Sequence, residues 1–170
     1  MTLLVCPLSQ VKAARALHRP SHLISLLSPA SPVETWPASG PGEACLRLAF
    51  HDIAEPRPGL TAPDAALVDR LLTFAEAWDG ARPMLIHCWA GVSRSTAAAF
   101  IIACQRAPGR AEQEIAQALR AAAPYATPNP LLVSLADTAL GRDGRMSTAI
   151  ADIGRGADAF EGALFALSPR

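Results

Sequence analysis

The sequence predicts a three-layer α/β fold: a central, mostly parallel sheet of four or five strands flanked by helices on both faces. Two observations carry this. From the N-terminus onward, short apolar runs alternate with stretches of helical spacing, and strand, helix, strand in so short a span marks a crossover between parallel strands. Further on, the run Pro83-Met84-Leu85-Ile86 passes through a tight loop into a longer apolar stretch at residues 96–103. That reads as strand, loop and buried helix. A chain of 170 residues suffices for one well-buried core rather than two domains.

Residues 2–7 are apolar enough for burial on both faces of a sheet and form the first strand. Ser9 then stands as the N-cap of a short helix to about residue 17, with Val11, Ala14 and Leu17 at helical spacing. Residues 22–27 form a second strand. Residues 28–42 are rich in Pro, Ser and Gly and form a loop. Its only aromatic, Trp36, either pins the loop to the body or lines the rim of a site, since the loop leaves the carboxyl end of a strand.

Residues 44–50 form a third strand that ends at His51-Asp52, followed by a loop with Pro56, Pro58 and Gly59. Pro63 and Asp64 open a helix to about residue 78, with Leu67, Leu71, Phe74 and Trp78 on one stripe. Asp64 there complements the helix dipole. After the strand at 84–87, the helix that follows Arg94 is apolar almost all round until Pro108-Gly109 stops it. Residues 111–122 form another helix. Thr127 as cap and Pro128 at the first position open a further one carrying Leu131, Leu135 and Leu140. Residues 157–167 are expected as a short closing helix, with Ile150, Phe160, Leu164 and Phe165 covering part of the body.

Composition narrows the class. Hydrophobic residues make up 51%, formal net charge is zero and aromatics are 5%, which speaks against disorder, a nucleic-acid surface or an electrostatic membrane footprint. Cys6, Cys45, Cys88 and Cys104 show neither close pairing nor metal-like spacing, and His18, His22, His51 and His87 form no ligand set. No leader segment or membrane-length apolar run is visible. The expectation is a reduced, cytoplasmic chain, with no membrane or nucleic-acid partner and no metal or cofactor.

The chemistry is concentrated in His87-Cys88-Trp89-Ala90-Gly91-Val92-Ser93-Arg94-Ser95. A Cys closes the strand, an Arg opens the helix, and the loop between them contains a Gly and no Pro. Such a loop can curl so that its N–H groups converge beside the positive end of the helix dipole, where phosphate fits. An anion is favoured at such a point, including the thiolate that makes a cysteine nucleophilic. Arg94 can grip two phosphate oxygens with its planar fork.

This stretch resembles the signature of the cysteine-dependent protein tyrosine phosphatases, within them the dual-specificity group, in which His-Cys-x-x-Gly-x-x-Arg is followed by Ser or Thr. A second likeness is Pro128-Asn129, in the place where that family opens the last helix with a Pro-Asn pair. The resemblance covers residues 1–140 loosely, as a catalytic domain. Residues 141–170 depart from it, as an extension packed on the same domain or at a homodimer contact.

The resemblance implies a phosphomonoester hydrolase acting on a phosphorylated protein or small phosphomonoester. Cys88 is its nucleophile, Arg94 and the amides of Trp89, Ala90, Gly91, Val92 and Ser93 bind phosphate, Ser95 assists departure of the sulfur, and His87 orients the loop. Asp52, which lies 36 positions before Cys88, is by the same resemblance the general acid, with Glu55 and Asp64 as rivals. Trp36 and Trp89 are candidates for the pocket rim. Other readings stay open: a lipid or small-molecule phosphatase of the same mechanism, a phosphate-binding pseudophosphatase, and a sulfur-transfer or arsenate-reducing enzyme.

Overall fold

The computed structural model describes residues 1–169. Five strands, β1 (Leu3–Pro7), β2 (His22–Leu27), β3 (Ala44–Ala49), β4 (Met84–Cys88) and β5 (Phe165–Leu167), form one sheet in the order β3-β2-β4-β1-β5. β2 pairs in parallel with β3 and β4, and β4 in parallel with β1; β5 alone runs antiparallel, against β1. The three-layer, mostly parallel fold is therefore the one expected. β4 lies at the centre and is buried along its whole length, as its unbroken apolar run requires.

Helix α1 (Val11–His18) covers one face, where Val11 and Ala14 meet Leu4, Cys6, Leu23 and Leu85. The other face carries α2 (Ala65–Glu76), α3 (Arg94–Arg106), α4 (Glu112–Ala122), α5 (Pro130–Ala139) and α6 (Arg145–Ile153). At the centre of this layer, α3 is buried from Arg94 to Cys104, which explains why it shows no polar stripe. Among the described residues, no helix is long and apolar enough to cross a membrane.

Three local expectations fail, each for a visible reason. Ser9 does not cap α1: it lies in a 3-10 turn, Leu8–Gln10, and its hydroxyl donates to Glu161. Leu17 accordingly stands outside the apolar stripe, 75% exposed. Thr127-Pro128 does not open α5; Asn129 is the N-cap, accepting from the Leu132 N–H at 2.9 Å, with Pro130 at the start of the helix.

The closing helix at 157–167 is absent. The last helix lies earlier, as α6, and the last element among the described residues is the strand β5, with Phe165 and Leu167 buried and Ala166 exposed. That alternation is a period of two, and it serves the edge of β1, which would otherwise be unpaired. Ile150 and Phe165 are buried as expected, but Phe160 is 96% exposed.

The N-terminus of α6 has an indirect cap. Its N-cap, Gly144, has no side chain to offer, and φ there is +83°. Buried Asp137 of α5 supplies the missing acceptors, taking the Gly144 N–H at 2.7 Å and the Ser147 N–H at 2.8 Å. Asp137→Ala should therefore lower the stability of the chain by about 2 kcal/mol, the scale for partly buried donors left without a partner. The midpoint of a urea titration checks this, with Asp137→Asn losing less because it keeps one acceptor.

Candidate active site

The loop between β4 and α3 is shaped from outside. Three of its carbonyls accept backbone N–H groups from distant segments: Trp89 O from Leu8 at 3.1 Å, Ala90 O from Gly162 at 2.8 Å, and Val92 O from Thr127 at 2.9 Å. In a planar trans peptide the next N–H points the opposite way from the carbonyl. The amides of Ala90, Gly91 and Ser93 are thus turned inward. The Gly91 N–H lies 3.2 Å from Cys88 Sγ.

Gly91 itself has φ +71°, and a Cβ there would stand 2.6 Å from Pro7 N and 2.9 Å from Cys6 C. Both its handedness and its contact with the end of β1 require glycine. The N-cap of α3, Ser93, places no side chain on the helix amides, so these remain open beside the loop N–H groups. The result is a cradle for one anion.

Cys88 Sγ also lies 3.2 Å from Ser95 Oγ on the first turn of α3. Arg94 is buried; its Nη1 donates to Phe50 O at 2.9 Å and its Cζ lies 5.9 Å from the centre of the Phe50 ring. Arg94 Nε is buried without a partner, a vacancy that an anion in the cradle would satisfy. His87, fully buried, is held between Ser25 Oγ at 2.7 Å and the Cys88 carbonyl at 3.3 Å. Burial pushes its pKa down to about 4, against the pull of the hydrogen bond to Cys88 O. The ring is neutral at pH 7 and ties the end of β4 to β2.

Asp52, just beyond the end of β3, is brought to the same place. Its Oδ1 accepts from Ser93 Oγ at 2.8 Å and from Asn129 Nδ2 at 2.8 Å. Asn129 also donates to Ile53 O at 3.1 Å, so one amide caps α5 and holds the Asp52 loop. Asn129 is the residue that sequence reasoning left out of the site, although the Pro-Asn pair had marked the position. The rival acids lie elsewhere: Glu55 is exposed and 3.4 Å from Arg57, while Asp64 is the N-cap of α2, accepting from Leu67 N at 2.8 Å.

A cavity of about 390 Å³ opens over Cys88, at the carboxyl ends of the parallel strands. Asp52, Trp89, Ala90, Val92, Ser93 and Arg94 line it together with Ser28, Ser31 and Ala159. Trp36, expected as a rim candidate, is not among the lining residues. The segment after it is drawn toward α1 and β3 instead, where Arg15 donates to Ala38 O at 2.8 Å and Arg47 to Pro37 O at 2.9 Å.

The other cysteines are not placed to work with Cys88. Cys6 packs on the α1 face of the sheet and Cys88 on the opposite face. Burial pushes the thiols of Cys6 and Cys104 up to about 12.

No family model and no curated protein matches the chain. Solved structures do. DUSP15 superposes with a TM-score of 0.62 at 20% identity, covering 88% of this chain and 90% of that one. Human DUSP28 gives 0.61 at 22% identity, covering 83% and 94%, and PTPMT1 gives 0.58 at 16%, covering 84% and 94%. The chain has the fold of the dual-specificity phosphatases.

His87 makes stability depend on pH. With a folded pKa near 4 against an ordinary value of 6.5, the unfolded chain takes up the proton first as pH falls. Stability contributed by the neutral ring is complete above about pH 6.5 and is lost toward pH 4, with a slope of up to about 1.4 kcal/mol per pH unit for one proton. Denaturant titrations across this range should show that slope in the parent chain and a shallower one in His87→Gln.

Proposed function

We propose that this chain is a phosphomonoester hydrolase working through a phosphocysteine intermediate on Cys88, with phosphotyrosine in proteins foremost among its substrates and phosphoserine or phosphothreonine also accepted. One observation carries the reading. Cys88, touched by the Gly91 N–H and Ser95 Oγ, shares its cavity with Arg94, whose Nε is buried and unpartnered.

The thiolate of Cys88 attacks phosphorus in line, and the bond from phosphorus to the ester oxygen breaks. Inward amides and the Arg94 guanidinium hold the three equatorial oxygens as charge builds on them. Asp52 gives the leaving oxygen its proton. Its Oδ1 is occupied by two donors, which leaves Oδ2 to carry that proton. In the second step Asp52 accepts a proton from water, water oxygen bonds to phosphorus, and sulfur departs with the Ser95 hydroxyl hydrogen-bonded to it.

The number of cations supports a single phosphate. Among the described residues lining the cavity, Arg94 is the one cation, which suits a phosphate dianion better than a polyanion. Sulfur transfer or arsenate reduction through a second thiol is disfavoured by the placement of Cys6 across the sheet. A pure binding module would have no need of Asp52 over the cradle.

Cys88→Ser should abolish turnover while retaining binding of inorganic phosphate. Asp52→Asn should slow hydrolysis of a phosphotyrosyl peptide by roughly 10²-fold, with a smaller loss on an aryl phosphate whose leaving group needs no proton. The same leaving-group pattern in Glu55→Gln, with Asp52→Asn unaffected, would overturn the assignment of the acid. For substrate class, kcat/KM for a phosphotyrosyl peptide should exceed that for a soluble inositol polyphosphate in one buffer; the reverse order contradicts the single-phosphate reading.

A further inference from the structure

The segment 157–161, part of the stretch expected as a closing helix, borders the cavity over Cys88, to which it contributes Ala159. It is anchored at both ends. On the near side Gly156 N–H donates to Thr127 Oγ1 at 3.1 Å and Ala157 N–H to Pro124 O at 3.0 Å. On the far side Gly162 N–H donates to Ala90 O at 2.8 Å, and the Tyr125 hydroxyl bonds both Ala163 O and Ala163 N–H.

Glycine is required at each anchor. A Cβ on Gly156 would meet Tyr125 C at 2.4 Å, and one on Gly162 would meet Tyr125 Cε2 at 2.5 Å. Between these anchors stands Phe160, 96% exposed. Its exposure is therefore not that of a loose tail: the backbone on either side is bonded to the body of the protein.

Nor is it alone. Val33 and Trp89, at 71% and 60%, are also among the exposed large hydrophobic residues. These three stand on the segments that supply Ser31, the catalytic loop and Ala159 to the cavity. Trp89 itself lines the cavity, and Phe160 follows directly on Ala159, which does too; exposed apolar side chains on segments that border a cavity mark a contact surface for a ligand.

We propose that residues 157–161 form a fixed wall of the substrate site, on which Phe160, together with Trp89, receives an apolar side chain next to the phosphorylated residue of a peptide. This rests on the phosphatase reading of Cys88. Charge favours a peptide over an anionic bilayer. Phe160 lies between Asp158 and Glu161, both exposed; Arg155 is paired with Asp158, and the other cation against the segment, the half-buried Arg120, has its guanidinium bonded to Pro124 O, Ile153 O and Gly154 O. The segment thus offers an anionic lipid surface no cluster of exposed cations.

The test compares kcat/KM for two phosphotyrosyl peptides that differ only in having leucine or glycine on both sides of the phosphotyrosine, with the parent chain and Phe160→Ala. Phe160 makes no buried contact, so the variant keeps the fold. The parent should prefer the leucine peptide by about tenfold or more, and Phe160→Ala should lower that preference by about tenfold, equivalent to about 1.4 kcal/mol. Phe160→Leu should retain most of it.

Equal rates on the two peptides in the parent, or an unchanged preference in Phe160→Ala, would overturn the proposal while leaving the phosphatase reading intact. Hydrolysis of neither peptide, nor of a small aryl phosphate, would remove both. Loss of sedimentation with phosphatidylcholine vesicles in Phe160→Ala, with the peptide preference unchanged, would assign the residue to a membrane surface and overturn the proposal as well.

Discussion

The outward pull on three carbonyls is the constraint on which the site depends. A loop with inward N–H groups concentrates partial positive charge at one point, and without outside acceptors or donors to hold it the backbone would relax. Here Leu8, Thr127 and Gly162 each donate an N–H to it, at 3.1, 2.9 and 2.8 Å, and Gly91 presses against the backbone of Cys6 and Pro7. The cradle is thus enforced by packing, so binding an anion requires no reorganisation of the loop.

Those donors come from three different parts of the chain: the turn after β1, the segment before α5, and the stretch before β5. The last also adds a strand to the sheet edge, so its place in the sheet and its hold on the loop between β4 and α3 are mechanically joined. Asn129 makes a comparable double link. By capping α5 and donating to both Asp52 and Ile53, it ties the position of Asp52 to a helix terminus rather than to a free loop. Side chains held by backbone and caps in this way lose little further entropy when a ligand binds between them.

Much of this was legible in the sequence because it is local. The β4–loop–α3 unit is written in contiguous residues, and both the buried strand and the all-apolar helix follow from their composition. Four of the five strands could be read as apolar runs between turn residues. β5 could not: three residues with a period of two are too short to stand out, and their identity as a strand depends on the free edge of β1, a long-range fact. The same applies to Ser9, which was drawn away from its helix by Glu161, 152 residues on. Of the two readings of Trp36, the rim of the site is the one the fold does not favour: Arg15 of α1 and Arg47 of β3 bond the carbonyls of Ala38 and Pro37 just after it, contacts with elements distant in sequence. Asn129 was visible as a motif, but its bond to Asp52 spans 77 positions and only the fold brings the two together.

The account stands or falls on a covalent bond between sulfur and phosphorus at the centre of the cradle. The direct measurement is mass spectrometry of peptides from the Asp52→Asn variant, quenched in acid during turnover of an aryl phosphate whose leaving group needs no proton, so that the intermediate still forms while loss of the base slows its hydrolysis. The account predicts the added mass of one phosphoryl group on the peptide that contains Cys88, and none in a Cys88→Ser control. Continuing turnover with no such adduct, or with the adduct on another residue, would contradict it.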